Sequence, residues 1–300
     1  MITPTFLHQG DQVAIVAPAR KVTPAETEPA IRKLEEWGLT VIPGDHLFHS
    51  FHQFAGKDEV RTGDLQRMLD NDSIRAIFCA RGGYGLVRII DRLDFTHFIK
   101  NPKWIVGYSD ITVLHSHIHT HFSIETLHAT MPIHFGDPAM SGETFTSLQM
   151  ALFGESLTYN LPSSAWSRRG KAKGILTGGN LSLIFSLVGT PSDILTDGKI
   201  LFLEDLDEYL YHVDRMMLGL KRSGKLSHLA GLIVGSMTRM RDNEVPFGKT
   251  AEEIIAEAVR DYDYPVCFGF PAGHVSDNRA LILGREYMLD VGKKVVFKQT

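Results

Sequence analysis

Three places in this chain hold side chains whose types and spacing could carry covalent chemistry. Ser109 lies in Val106-Gly-Tyr-Ser-Asp-Ile111, where an apolar run ends at Gly107 and a helical pattern starts directly after the serine. A serine in such a turn projects its hydroxyl at the carboxyl end of a sheet. The first amides of the following helix, that of Asp110 among them, then point to where a carbonyl oxygen would turn negative. Ile111 occupies the second glycine position of G-x-S-x-G, so the hydrolase motif is matched in part, and a plain junction with a serine N-cap would look the same locally. Arg81-Gly-Gly-Tyr-Gly85 ends the preceding apolar run. Its glycines would let backbone amides approach a ligand, and an amide of Gly82 or Gly83 could complete an oxyanion hole with that of Asp110. The spacing is not G-x-G-x-x-G, which argues against a nucleotide site, and a tight turn needing positive φ accounts for the same residues.

Carboxylates gather in Glu204-Asp-Leu-Asp-Glu208 behind the apolar run 200–203. One acid at a strand end could orient a catalytic histidine, while most of the others suit the start of the next helix. His274 sits in a Pro/Gly loop, Phe270-Pro-Ala-Gly-His274, a type of segment that often carries functional groups. A rival is the run His115, His117, His119 and His121. On a strand all four would share a face; on the helix expected after Ser109 they separate into the pairs 115/119 and 117/121. With no H-E-x-x-H motif, the run reads as a half-exposed or interface helix face, and no metal site is expected.

The elements that must position these groups alternate in the first half. A strand over 13–17 leads to a helix opened by Thr23-Pro-Ala-Glu26, a capping box with proline at the first helical position. A strand over 39–42, a helix over 58–70, a strand over 76–80, a helix near 87–93 and the strand ending at Gly107 follow. Continuous apolar strands separated by helices imply a parallel sheet covered on both faces. Composition turns Ser-, Pro- and Gly-rich over 154–174, which places a linker there and divides the chain into 1–160, with the nucleophile, and 161–300, with the acid and histidine. The second half reads as mixed or β-rich, with strands over 199–203 and 231–235, helices near 209–221 and 251–262, and short strands from 281 onward.

At 300 residues, 43% apolar and 22% charged, the chain can bury two cores. No basic start followed by an apolar run and no stretch of eighteen apolar residues occurs, so neither an export signal nor a membrane partner is expected. A net charge of -4 without basic clusters argues against nucleic acid and leaves a small molecule as partner. Cys79 and Cys267 sit in apolar segments and read as buried thiols of a reducing cytoplasm.

These segments together resemble the LD-carboxypeptidases, serine peptidases that include muramoyl-tetrapeptide carboxypeptidase and microcin C immunity peptidases. The resemblance spans nearly the whole chain. It is carried by Val13-Ala-Ile-Val-Ala-Pro18, Ala80-Arg-Gly-Gly-Tyr-Gly85, Asn101-Pro-Lys-Trp-Ile-Val-Gly-Tyr-Ser-Asp-Ile-Thr112, Thr177-Gly-Gly-Asn-Leu181, Phe202-Leu-Glu-Asp205 with Asp214-Arg-Met216, and Gly273-His274 with Asp277-Asn278. It implies an α/β fold, with a doubly wound parallel-sheet amino-terminal domain and a β-rich, barrel-like carboxyl-terminal domain. It also implies a homodimer and a triad of Ser109, Glu204 and His274 in the cleft between domains, with no cofactor. The implied substrate is a cell-wall tetrapeptide losing its terminal D-alanine during cytoplasmic recycling. Arg81 is the cation expected to bind the free carboxylate. Two other functions are compatible with the sequence: an immunity-type peptidase cutting a peptidyl or aminoacyl nucleotide, and a non-catalytic small-ligand-binding protein.

Overall fold

Strands buried on both faces have no solvent side, so their sequences read as unbroken apolar runs. Val13 to Val16, Ala76 to Cys79 and Trp104 to Val106 are all at most 1% exposed, and they form the centre of a parallel sheet. The computed structural model describes residues 1–300, which divide into two compact units.

The first unit runs β1 (Gln12–Val16), α1 (Pro24–Glu36), β2 (Thr40–Pro43), α2 (Asp58–Asp70), β3 (Ile74–Cys79), α3 (Thr96–Lys100), β4 (Trp104–Gly107), α4 (Thr112–Phe122), β5 (Thr126–His128) and α5 (Gly142–Phe153). The Thr23 capping box forms as expected, with Pro24 opening α1. The helix expected near 87–93 is instead two 3-10 turns, Leu86–Arg88 and Ile90–Arg92. The Asp110 carboxylate draws the Leu86 amide aside, and Ile89 leaves helical geometry at φ -121°.

The second unit holds β6 (Thr158–Pro162), β7 (Gly170–Asn180), α6 (Leu181–Ser186), β8 (Ile200–Leu206), α7 (Leu210–Arg222), β9 (Gly231–Thr238), α8 (Ala251–Ala258) and β10 (Val266–Phe268). After β11 (Leu281–Leu283) come β12 (Glu286–Val291) and β13 (Lys294–Gln299). The stretch read as a linker therefore carries β6 and the start of β7. Exposed and buried residues alternate along β6, which lies at the sheet edge, and this period-two pattern is too short and polar to stand out in composition. The observed division falls between Glu155 and Ser156, and residues 276–282 return to the first unit, so a single cut at 160 does not separate the two. The Asn278 amide donates to Thr144 Oγ1 at 2.9 Å and the Ala280 amide to Ser147 Oγ at 3.0 Å, which ties the returning segment to α5.

The first sheet has the order β11-β5-β4-β3-β1-β2. The second, β10-β9-β8-β7-β12-β13-β6, is parallel from β10 to β7 and antiparallel beyond. An isolated bridge between Arg168 and Val266 joins β10 to the segment entering β7, so the sheet curls in a barrel-like way. Helices α6, α7 and α8 cover its parallel part through Leu181, Val213, Met216, Met217, Ile254 and Ile255. Cys79 and Cys267 are buried and unpaired. No helix is long and apolar enough to cross a membrane.

Candidate active site

Ser109 follows β4 at φ +64°, a left-handed conformation that costs a non-glycine residue energy and recurs at nucleophile turns. A single 3-10 turn over Ser109–Ile111 separates it from α4. The neighbouring β3 ends in the glycine-rich turn, so the two turns leave adjacent strands at the same end of the sheet. Gly82 has a steric reason to be glycine: a Cβ there would lie 3.0 Å from Ser109 Cβ, 3.2 Å from Ser109 Oγ and 3.3 Å from the Tyr108 carbonyl. The Asp110 side chain, fully buried, links the turns by accepting the Leu86 amide through Oδ2 at 2.9 Å. Burial pushes the Asp110 carboxyl up to about 6, against the opposing pull of the Leu86 amide and the Arg61 and Arg20 charges.

In the second unit Glu204 stands near the end of β8 with no solvent exposure, beside Asn180 at the end of β7 in parallel register. Glu204 Oε2 accepts from His274 Nδ1 at 2.7 Å, and Asn180 Nδ2 donates to Glu204 Oε1 at 3.3 Å and to Asp205 Oδ1 at 2.9 Å. Gly273 makes the histidine's approach feasible. At φ +109° it adopts a conformation side chains disfavour, and a Cβ there would lie 2.5 Å from Glu204 Oε2. Burial disfavours the His274 imidazolium, but the Glu204 charge and hydrogen bond, with a contribution from Asp205, outweigh it and raise the pKa above 6.5. With Nδ1–H committed to Glu204, Nε2 is the basic nitrogen.

The other acids of the run have separate tasks. Asp205 is a buried strand residue whose Oδ2 accepts the Ser182 amide at the start of α6, so it serves a different helix from the one its position suggests. Burial and the Glu204 charge push it up to about 7. Asp207 pairs with Arg241, and Glu208 pairs with His212 in the first turns of α7. Asn180 and Asp205 are the polar partners that spacing alone did not single out. Their only signal was position, at the ends of two apolar runs that prove to be adjacent parallel strands.

Comparison with known proteins matches residues 13–129 to the LD-carboxypeptidase N-terminal domain and residues 173–289 to the LD-carboxypeptidase C-terminal domain. The chain is 37% identical over 298 residues to the probable murein peptide carboxypeptidase of Bacillus subtilis, covering 97% of this chain and 92% of that protein. It belongs to the LD-carboxypeptidase family. The crystal structure of muramoyltetrapeptide carboxypeptidase from Oxalobacter formigenes matches with a TM-score of 0.87 at 27% identity, over 96% of this chain and 98% of that one. The microcin C7 self-immunity protein MccF, in complex with aspartyl sulfamoyl adenosine, matches with a TM-score of 0.89 at 21% identity over 100% and 98% of the two chains, a likeness of fold.

The histidine run of this LD-carboxypeptidase lies on α4 and splits into the two expected pairs, but only one pair is half-exposed. His117 and His121 lie near the surface with ring centroids 4.4 Å apart and ring planes tilted by 41°. His115 and His119 belong to the core. His115 is fully buried with Nε2 2.9 Å from the Gly107 carbonyl, directly behind the Ser109 turn, and His119 Nε2 is 3.0 Å from Thr126 Oγ1. The expectation of a half-exposed or interface face therefore fails for these two, because α4 packs its 115/119 face inward. Burial pushes His115 down to about 4, so near neutral pH it is uncharged and donates Nε2–H to the Gly107 carbonyl.

This placement gives a stability prediction. His115→Ala should lose about 2–4 kcal/mol in urea unfolding at pH 7.5, from the cavity and the lost hydrogen bond. Because the folded-state pKa, about 4, lies below the ordinary 6.5, the unfolded chain takes up the proton first as pH falls. The wild-type contribution is thus complete above about pH 6.5 and drains away towards pH 4, by about 3 kcal/mol in all. The alanine variant should lack that part of the pH dependence; an unchanged slope between pH 4 and 6.5 would contradict the assignment.

Proposed function

We propose that this LD-carboxypeptidase is a serine peptidase that removes the terminal D-alanine from cell-wall-derived tetrapeptides, with Ser109 as nucleophile, His274 as general base and Glu204 as the residue that orients it. On this reading the first unit supplies the nucleophile and the second the base and acid. The observation that carries it is the 2.7 Å bond between a fully buried Glu204 and His274 Nδ1, which leaves Nε2 as the proton acceptor.

The chemistry follows from the side chains. His274 Nε2 takes the Ser109 proton as Oγ attacks the carbonyl carbon of the penultimate residue, and the imidazolium that forms is stabilised by the Glu204 carboxylate. The oxyanion meets the amide of Asp110 and that of Gly82 or Gly83, each donor worth about 3 kcal/mol of barrier. His274 then protonates the leaving D-alanine amine, and water activated by the same histidine hydrolyses the acyl-enzyme. Such an exopeptidase must also meet the substrate's free carboxylate with a cation, for which Arg81 is the first candidate.

The same reading makes the protein a homodimer working in the cytoplasm, and its two buried, unpaired cysteines suit a reducing compartment. The test is direct: purified protein is incubated with a wall-type tetrapeptide ending in D-alanine, with its L-alanine isomer, and with an aminoacyl sulfamoyl nucleotide, and products are followed by mass spectrometry. The D-alanine peptide alone should be shortened. Turnover of the nucleotide conjugate without release of D-alanine would replace this reading by an immunity-type one.

A further inference from the structure

The first sheet contains a topological switch point. From β1 the chain moves one way to β2 and then crosses to β3 on the other side, so the loops leaving β1 and β3 diverge above a crevice where open α/β sheets bind ligands. Arg20 comes from the first of these loops and Arg81 to Gly85 form the second.

Arg20 has its backbone held, and its charge, which acts on the buried Asp110 from a distance, is in no ion pair. It pairs with Phe54 in an isolated antiparallel bridge, and the flanking residues are fixed by Ala55 N–H to the Ala19 carbonyl and Lys21 N–H to the Gln53 carbonyl. Its side chain is exposed and has no carboxylate within ion-pair distance. The cations around it are engaged: Arg81 lies 4.0 Å from Glu26, Arg61 and Arg88 both pair with Asp58, and Lys21 Nζ donates to Ser50 Oγ at 3.1 Å. Glu26 is itself held by the Thr23 capping box, so the acid facing Arg81 is fixed in place.

The Arg20 stem crosses Gly83, where a Cβ would lie 2.5 Å from Arg20 Cδ and 2.8 Å from Nε. The preceding residue, Gly82, is the one whose Cβ position would be 3.0 Å from Ser109 Cβ. Two consecutive glycines thus lie against the Ser109 side chain and the Arg20 stem. In a carboxypeptidase substrate the scissile carbonyl and the terminal carboxylate are likewise one residue apart.

We propose that Arg20, from the loop after β1, binds the free carboxylate of the departing residue and so sets the preference for a terminal residue. This rests on the peptidase reading above and assigns to Arg20 the task first expected of Arg81. A guanidinium offers a planar fork to a carboxylate, which an ammonium does not.

The test compares a tetrapeptide ending in D-alanine with the same peptide ending in D-alanine amide, using the full-length protein. Wild type should favour the free acid in kcat/KM by about 100-fold, the size of a charge-assisted contact. Arg20→Gln should lose about that factor on the acid, chiefly through KM, and leave the amide unchanged, so that the preference collapses. Arg20→Lys should recover part of it, and Lys21→Gln should keep it whole. A wild-type preference that survives in Arg20→Gln, or that is lost instead in Arg81→Gln, would overturn the assignment while leaving the peptidase intact. A wild-type protein inactive on both peptides would overturn the peptidase reading and this inference with it.

Discussion

Ser109→Ala lowers turnover of a D-alanine-terminated tetrapeptide by a factor on the order of 10⁶ and leaves the unfolding midpoint within a degree or so of wild type, the magnitude seen when the nucleophile of a serine triad is removed. Both halves of this expectation come from the local structure. Ser109 is held at φ +64°, and alanine carries the same Cβ into the same left-handed conformation, so the strain already present in the turn is unchanged. The Cβ that Gly82 accommodates at close range is also kept, while the Oγ that would be acylated is lost. Mass spectrometry of wild type quenched during turnover should show an acyl adduct on the peptide containing Ser109, and the alanine variant should show none. Retention of most activity by Ser109→Ala would require a different nucleophile.

Much of the first unit was legible because parallel strands and capped helices write themselves into short stretches of sequence. The helix over 58–70 matches α2 residue for residue, and Thr23 to Glu26 mark the start of α1 by a reciprocal pair of hydrogen bonds that only a few residue types can make. The failures share a cause. Residues 87–93 carry an apolar pattern, but a side chain 24 positions away, Asp110, takes the Leu86 amide. β6 finds its only partner in β13, near the other end of the chain. Returning residues 276–282 belong to the first unit through hydrogen bonds to α5, which no local window contains. Contacts distant in sequence decided each of these.

The candidate site divides in the same way. Ser109 and the glycine turn were readable from spacing, because a strand-turn-helix junction is local. Spacing alone did not separate Glu204 from its neighbours or His274 from thirteen other histidines; the family resemblance did. Asn180, which touches both Glu204 and Asp205, became legible only through the pairing of β7 with β8. Arg20 had no local signal, since its relevance depends on the order in which the strands lie.

Glu204→Gln should lower kcat by about 10⁴, less than loss of the serine, and should also move the acid limb of the pH profile. Glu204 Oε2 accepts from His274 Nδ1 at 2.7 Å while Oε1 accepts from Asn180 Nδ2 at 3.3 Å, so a carboxylate satisfies two donors. A glutamine cannot, because one of the two donors must face its NH₂. If His274 faces that group it takes the tautomer with the proton on Nε2, and the base needed by Ser109 is gone. If Asn180 faces it, the imidazolium still loses its counter-charge. In wild type the Glu204 carboxylate and hydrogen bond overcome burial and hold the His274 pKa above 6.5, so kcat/KM falls as pH drops through a value higher than that of a free histidine. In the variant, burial, the largest influence on His274, is opposed only by Asp205, the smallest, so the histidine deprotonates at lower pH. The residual activity of Glu204→Gln should therefore persist to lower pH than that of wild type, with its acid limb below 6.5. A variant whose limb stays at the wild-type position would show that Glu204 does not govern the proton on His274.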